Sequence, residues 1–363
     1  MEATPMPMLK GKMRDGGRCL RRAWVLLLPL LVSSCLTGGG RFQKKMGEGP
    51  PLYDEPVFKW QASDKAVLPY CRWLPPKGMT RKGIVIAIPG MDEASVDWTR
   101  LGRYVAARGY EMYSPDLRGQ GKDLDARERG NYHRWRRWVE DVNEFAAQAR
   151  GGRKLPVAYM GHSLGGMVAL AAAERAGESA AAAAPDALVL YAPAFVLAYP
   201  RWFGARAAAT TVQVMTLNLA RVTGPAVFEL MHRNIVSNPE DEAAWERSSD
   251  RLCGGMSFRY VGACLAVGKE ARDVPGKTAT PVLLQYGRSD TTIPMCKRSP
   301  ERVREMFQAR DTELWWHPNP KAAHDMLNDR LVRQEMLAKT YAWLDERLGA
   351  ASKMRTGGEG ARN

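Results

Sequence analysis

Ser163 stands in Gly161-His162-Ser163-Leu164-Gly165, with a glycine two positions away on either side. A serine hydroxyl attacks carbonyl carbon only when a neighbouring base takes its proton. The G-x-S-x-G spacing suits such a serine. It places the residue on a sharp strand-to-helix turn, where glycines let backbone segments approach without a Cβ between them. With 34 glycines in 363 residues, the pentapeptide can also arise by chance, so its surroundings decide. An apolar run, Leu155 to Met160, precedes it, and an Ala/Leu-rich stretch, Leu164 to Ala176, follows it. That is the strand–turn–helix context a nucleophile requires.

Five histidines are available as the base: His133, His162, His232, His317 and His324. His162 adjoins the serine, so its ring should point away from the line of attack. His133 falls in an Arg/Trp-rich helix and His232 in the insertion at 195–275. His324, in Lys-Ala-Ala-His-Asp-Met-Leu, lies in a loop before the C-terminal helix and is the preferred base. His317, which closes the last strand, is the alternative. The base needs a carboxylate to fix its tautomer and stabilise its cation. Asp290 follows the apolar run Pro281 to Tyr286 and is the best placed. Asp273 precedes that strand, and Asp325 is adjacent to His324, where the geometry is poor. Two backbone N–H groups should meet the oxyanion that forms on attack. Leu164 supplies one, and Met91 the other, from the turn Pro89-Gly90-Met91. This chemistry requires neither cofactor nor metal. No C-x-x-C spacing marks a structural metal site.

The elements that position these residues alternate. Strand-length segments fall at 82–88, 111–114, 155–160, 187–191, 281–286 and 312–316, the first a continuous apolar run and 111–114 short and extended. Helical patterns fall at 94–107, 133–150, 164–176, 301–308 and 331–348. Strand–helix alternation of this kind predicts an α/β fold, a mostly parallel sheet with helices on both faces. Active residues of such folds gather at the C-terminal strand ends. Residues 195–275 break the rhythm. Phe195, Tyr199, Trp202, Phe203 and Met215 occur there among arginines without a strand pattern, which predicts a helical insertion. The core is then 59–194 with 276–349, and 350–363 form a disordered tail.

Four segments together resemble one branch of the α/β-hydrolases. They are Gly-His-Ser-Leu-Gly-Gly (161–166), Pro-Asp-Leu-Arg-Gly-Gln-Gly (115–121), Tyr-Gly-Arg-Ser-Asp-Thr-Thr-Ile-Pro (286–294) and His-Asp-Met-Leu-Asn-Asp (324–329). They look like the monoglyceride lipase and lysophospholipase-like branch, which includes serine aminopeptidase-like domains. The resemblance covers residues 60 to 348. It implies an α/β-hydrolase fold with residues 195–275 as a cap shaping an acyl-chain pocket. It also implies hydrolysis of a monoacyl lipid ester through Ser163, Asp290 and His324. Where the family's oxyanion loop usually has His-Gly, this chain has Pro89-Gly90. Asp116 and Arg118 are expected to form a charge pair that pins the loop after the strand at 111–114.

The N-terminus carries an address. Six Lys/Arg within residues 10–22 precede an uncharged apolar run, 23–32, then Ser33, Ser34 and Cys35. Basic, apolar and small regions in that order are a signal peptide, and the run is too short to span a bilayer. Val32-Ser33-Ser34-Cys35 resembles a bacterial lipobox, in which the cysteine thiol is lipidated. An ordinary secretory signal with an incidental cysteine is the alternative. The expected organisation is a lipoprotein signal over 1–34, a tether over 35–58, and a membrane-anchored protein of the bacterial envelope. Removing residues 1–34 takes away six basic and two acidic residues, so a formal charge of +14 becomes +10. Cys71, Cys253, Cys264 and Cys296 remain, with several pairings open. The Arg-Trp-Arg-Arg-Trp run, 134–138, fits a solvated helix face with tryptophan turned inward, and no nucleic-acid partner is expected. An aminopeptidase or amidase is the enzymatic alternative. A catalytically silent, lipid-tethered binding protein is the alternative of another class.

Overall fold

The computed structural model describes residues 49–125, 127–178, 184–195, 235–251, 256–292, 299–309 and 311–357. Eight strands form one sheet: β1 (Phe58–Gln61), β2 (Val67–Trp73), β3 (Gly83–Ile88), β4 (Tyr110–Pro115), β5 (Val157–His162), β6 (Ala187–Tyr191), β7 (Val282–Tyr286) and β8 (Thr312–Trp316). Their order is β1-β2-β4-β3-β5-β6-β7-β8. The β1–β2 and β2–β4 pairs are antiparallel, and every later pair is parallel.

The β3 sequence Gly-Ile-Val-Ile-Ala-Ile shows why the sheet is covered twice. Ile84, Ile86 and Ile88 enter one apolar cluster, and Val85 and Ala87 enter the other. Every residue of β3 is buried, as a parallel central strand requires. Each such isoleucine contributes about 1.5–3 kcal/mol by leaving water. Helices α1 (Thr99–Ala106) and α7 (Arg333–Gly357) cover the Val85 face, through Leu101, Val105, Met336, Leu337 and Leu344. Helices α2 (Trp135–Arg150) and α3 (Leu164–Glu178) cover the Ile86 face, through Trp138, Val142, Met167 and Leu170. Gly151, in the left-handed region at φ 55°, ends α2.

Residues 258–274, which the sequence groups with the insertion, pack into the Ile86-face core. Helix α5 (Phe258–Glu270) starts at Ser257, whose side chain accepts the Tyr260 N–H. It buries Tyr260, Val261, Cys264 and Val267, and Trp138 meets Tyr260 edge-on at 5.6 Å. Helix α4 (Pro239–Arg247) precedes it, capped by Asn238 with Pro239 in its first turn. The rest of the insertion, 196–234 and 252–255, lies outside the described residues. Phe195, expected on a pocket wall, is fully buried in the core, with its ring 6.3 Å from that of Phe307, which follows helix α6 (Ser299–Met306).

Strands β1 and β2 are additions to the expected sheet. Pro69 interrupts the pattern of β2, and charged or polar residues alternate with aromatics in β1. Pro69 lacks a donor, but its carbonyl accepts the Asp116 N–H at 3.0 Å. The expected tether ends earlier than residue 58. Gly49 N–H donates to the Arg247 carbonyl at 2.9 Å, Leu52 N–H reaches Ser248, and Tyr53 OH reaches Asn328. Helix α7 continues to Gly357, well into the stretch expected as a tail. Asp116 and Arg118 do not pair with each other. Arg118 binds Asp141 and Asp64, while Asp116 accepts the N–H groups of Ser95 and Lys122. Cys71 and Cys264 are buried free thiols, and Cys253 and Cys296 lie outside the described residues.

Candidate active site

Ser163 forms the turn from β5 into α3 with a backbone φ of 51°. That left-handed conformation is costly for a residue with a Cβ, and three hydrogen bonds hold it. Ser163 N–H donates to the Tyr191 carbonyl at 2.9 Å, and the Ser163 carbonyl accepts from Gly166 at 3.1 Å and Ala194 at 3.0 Å. The flanking glycines are required sterically. A Cβ on Gly161 would lie 2.3 Å from the Gly165 carbonyl oxygen, and one on Gly165 would lie 2.2 Å from that of Ile88. The start of α3 is thus pressed against the loop that leaves β3, so Leu164 and Met91 belong to adjoining segments. Leu164 opens the helix, so its N–H has no acceptor one turn back. Ser163 itself is partly accessible.

The loop after β3 is held from several sides. Gly90 N–H donates to Glu93 Oε2 at 2.5 Å, and Asp92 N–H donates to Gln120 Oε1 at 2.7 Å. Asp92 also has a positive φ, 65°, and its carbonyl accepts from Arg251 Nη1 at 2.9 Å. Arg251 binds Asp97 with two nitrogens, each at 2.7 Å, and its guanidinium lies 4.0 Å from the centre of the Trp245 ring. Both members of that ion pair are buried. Burial is the largest influence on the Asp97 carboxyl and raises it, and the guanidinium opposes the rise. Asp116, behind the same loop, is raised to about 6 by burial, against its two backbone hydrogen bonds.

Asp290 and His324 come together across the ends of β7 and β8. His324 Nδ1 lies 2.8 Å from Asp290 Oδ2, and both side chains are nearly excluded from solvent. A carboxylate only accepts, so Nδ1 donates and Nε2 of the neutral ring is left as the acceptor. Asp290 is aimed by Thr292, whose N–H it accepts at 3.0 Å. Gly287 permits the two loops to touch: a Cβ there would sit 2.1 Å from the Ala323 carbonyl oxygen. Ser289 ties them by its N–H to Ala322 and its hydroxyl to Pro320. The His324 ring lies 4.6 Å, centre to centre, from that of His162, the neighbour of Ser163.

The other candidates are engaged elsewhere. His317 is buried, with Nε2 2.7 Å from the Val332 carbonyl oxygen and Nδ1 accepting the Asn319 N–H. His133 is exposed beside Arg259. Asp325 caps the turn of Leu327 and Asn328. Asp273 ends a short 3-10 turn before β7. His232 and Cys35 lie outside the described residues. Sequence reasoning missed the partners of His162. Its Nδ1 lies 2.5 Å from Glu93 Oε1, and its Nε2 3.2 Å from the His324 carbonyl oxygen. No sequence signal links positions 69 residues apart.

Residues 80–331 match the family described as serine aminopeptidase, S33. The chain belongs to that family. It is a serine hydrolase of the α/β-hydrolase fold. Within the curated relatives of this S33 chain, human monoglyceride lipase is 25% identical over 290 residues, covering 78% of this chain and 88% of that protein. A soluble variant of monoglyceride lipase from Saccharomyces cerevisiae superposes with a TM-score of 0.63 at 19% identity, covering 82% of this chain and 99% of that one. An esterase from Exiguobacterium antarcticum superposes with a TM-score of 0.61 at 19% identity, covering 80% and 100%. At those identities the superpositions speak for the fold.

Proposed function

We propose that this serine hydrolase cleaves carboxylic esters of monoacyl lipids, monoacylglycerols or lysophospholipids, through an acyl-enzyme. The observation that carries the proposal is the Asp290–His324 hydrogen bond at 2.8 Å, in a loop packed against the partly accessible, strained Ser163 turn. Ser163 Oγ attacks the acyl carbonyl carbon while its proton passes to His324 Nε2. Asp290 keeps the proton on Nδ1 and stabilises the imidazolium. The carbonyl oxygen, now an oxyanion, accepts from the amides of Leu164 and Met91. When the tetrahedral species collapses, the ester C–O bond breaks and His324 returns the proton to the departing alcohol. Water then repeats the sequence on the acyl-enzyme, releasing the fatty acid and restoring Ser163.

The name of the human relative supports a lipid ester, as does the aromatic content of the insertion, where Tyr199, Trp202, Phe203 and Met215 are proposed to wall an acyl pocket. Aminopeptidase or amidase action is the second possibility, favoured by the description of the family itself; acyl transfer from nitrogen uses the same groups. Anchoring in a bacterial envelope through lipidated Cys35 completes the proposal. The deciding experiment measures kcat/KM across p-nitrophenyl esters of graded acyl length, beside a monoacylglycerol, a triacylglycerol and an amino-acid amide. Each buried methylene is worth about 0.8 kcal/mol, or about fourfold. The expected result is a rise from acetyl toward medium or long chains, with the monoacylglycerol faster than the triacylglycerol. A maximum at acetyl, or an amide cleaved faster than any ester, overturns the lipid proposal.

A further inference from the structure

Glu93 and His162 make a second carboxylate–histidine pair behind the first. Glu93 Oε2 accepts the Gly90 N–H at 2.5 Å, and Glu93 Oε1 lies 2.5 Å from His162 Nδ1. On the far side of the ring, His162 Nε2 lies 3.2 Å from the carbonyl oxygen of His324. A carbonyl only accepts, so Nε2 carries a proton. Both side chains are almost wholly buried. The contacts join three segments: the loop after β3, the end of β5 and the loop after β8. Gly90 precedes Met91, His162 precedes Ser163, and the third is reached at the main chain of His324. Each segment supplies one part of the proposed machinery: an oxyanion donor, the nucleophile and the base.

We propose that Glu93 and His162 are positioning residues that hold the oxyanion loop, the nucleophile turn and the base-bearing loop in one register. The proposal rests on the catalytic roles proposed above for Met91, Ser163 and His324. Burial works against both charges, yet the pairing prevails. The Glu93 carboxyl lies below its ordinary range and the His162 imidazole is raised to about 9. An imidazolium donates from both nitrogens, which satisfies the carboxylate and the carbonyl together. The pair is neutral as a whole, so it fixes geometry without charging the neighbourhood of His324. Asp325, Asp97 and Arg251 are charged groups that interact with it. A displacement of about 1 Å at a reacting centre costs up to about a hundredfold in rate.

The test compares wild type with Glu93→Gln, His162→Asn and Glu93→Asp, after thermal melting shows which are folded. Fluorophosphonate labelling of wild type, and its absence in Ser163→Ala, is read first. No label at Ser163 in wild type overturns the catalytic proposal and this one with it. Given a label, Glu93→Gln is expected to lower kcat about ten- to hundredfold with KM changed less than about threefold. Affinity for an alkyl boronic acid, which forms the tetrahedral adduct, should fall by a similar factor. Affinity for a non-hydrolysable ether analogue of the substrate should hold. Glu93→Asp, which keeps the charge on a shorter arm, should recover part of kcat, and Glu93→Gln combined with His162→Asn should be little worse than either alone. Labelled, folded variants that keep wild-type kcat and boronic acid affinity overturn the positioning role. So do variants whose only change is a lower melting temperature. Should Glu93→Gln fail to fold, the Glu93→Asp comparison decides by the same two readouts.

Discussion

At the scale of single residues, Ser163 is held in a conformation that costs about 1–2 kcal/mol by bonds that leave its side chain free to react. Ser163→Ala removes one hydroxyl and leaves those main-chain bonds in place. Turnover is expected to fall at least ~10³-fold with the melting temperature nearly unchanged, because such residues act as a unit. Retention of a tenth of wild-type turnover would remove Ser163 from the mechanism. His324→Ala and Asp290→Asn should be similarly crippling, and either combined with Ser163→Ala should add little. A silent Asp290→Asn beside an inactive Asp325→Asn would reassign the acid. The adjacency of Asp290 and His324 was legible in the sequence, because residues just past the ends of consecutive parallel strands lie side by side. The bonds of His162 were not. A buried histidine and a glutamate 69 positions earlier leave no mark in either local pattern, and only the folded chain joins them.

At the scale of elements, six strands announce themselves by their place in the strand–helix alternation, with β3 and β6 as unbroken apolar runs because they are buried throughout. Strands β1 and β2 do not. Phe58-Lys59-Trp60-Gln61 alternates like a surface strand, and Pro69 argues against β2 although its carbonyl still serves the pairing region. Helix α5 was likewise hard to place. Its apolar residues fit a cap and a core equally well, and contact with α2 and α3 is a tertiary fact. Gly287 is the most exacting contact between loops, with a Cβ position 2.1 Å from a main-chain oxygen that has no flexible side chain to move. Gly287→Ala must therefore separate the Asp290 loop from residues 322–323. Overpacking of this kind costs about 1–3 kcal/mol, and chemical denaturation should show a loss in that range. Since the displaced loops carry Asp290 and His324, kcat should fall as well, at unchanged fluorophosphonate stoichiometry after long incubation. A Gly287→Ala protein as stable and as fast as wild type would show that the two loops can part without consequence.

At the scale of the whole molecule, Gly49, the first described residue, bridges to Ser248, and the proposed anchor lies fourteen residues earlier in sequence. Lipidation supplies about 0.8 kcal/mol per buried CH₂, and more than one chain is needed for stable attachment. Cys35→Ser is expected to abolish palmitate incorporation, and any mature chain it yields should fractionate as soluble with its esterase turnover intact. Membrane association of a chain proven to begin after residue 35 and to lack lipid would sink the anchor. One contact bears on how this protein and its relatives can diversify. Arg251 stands 159 residues after the Asp92 carbonyl it holds and 154 after the Asp97 it neutralises. The segment between β6 and β7 is therefore not a detachable module. A chimera that imported a foreign segment without arginine at this place would strand a buried carboxylate and release the turn that carries Met91. A chimera that changed position 97 alone would strand a buried guanidinium instead. Substrate range, insofar as that segment sets it, is tied through Arg251 to Asp97, so a segment exchanged into this chain keeps the loop after β3 in place only if it brings an arginine to this position.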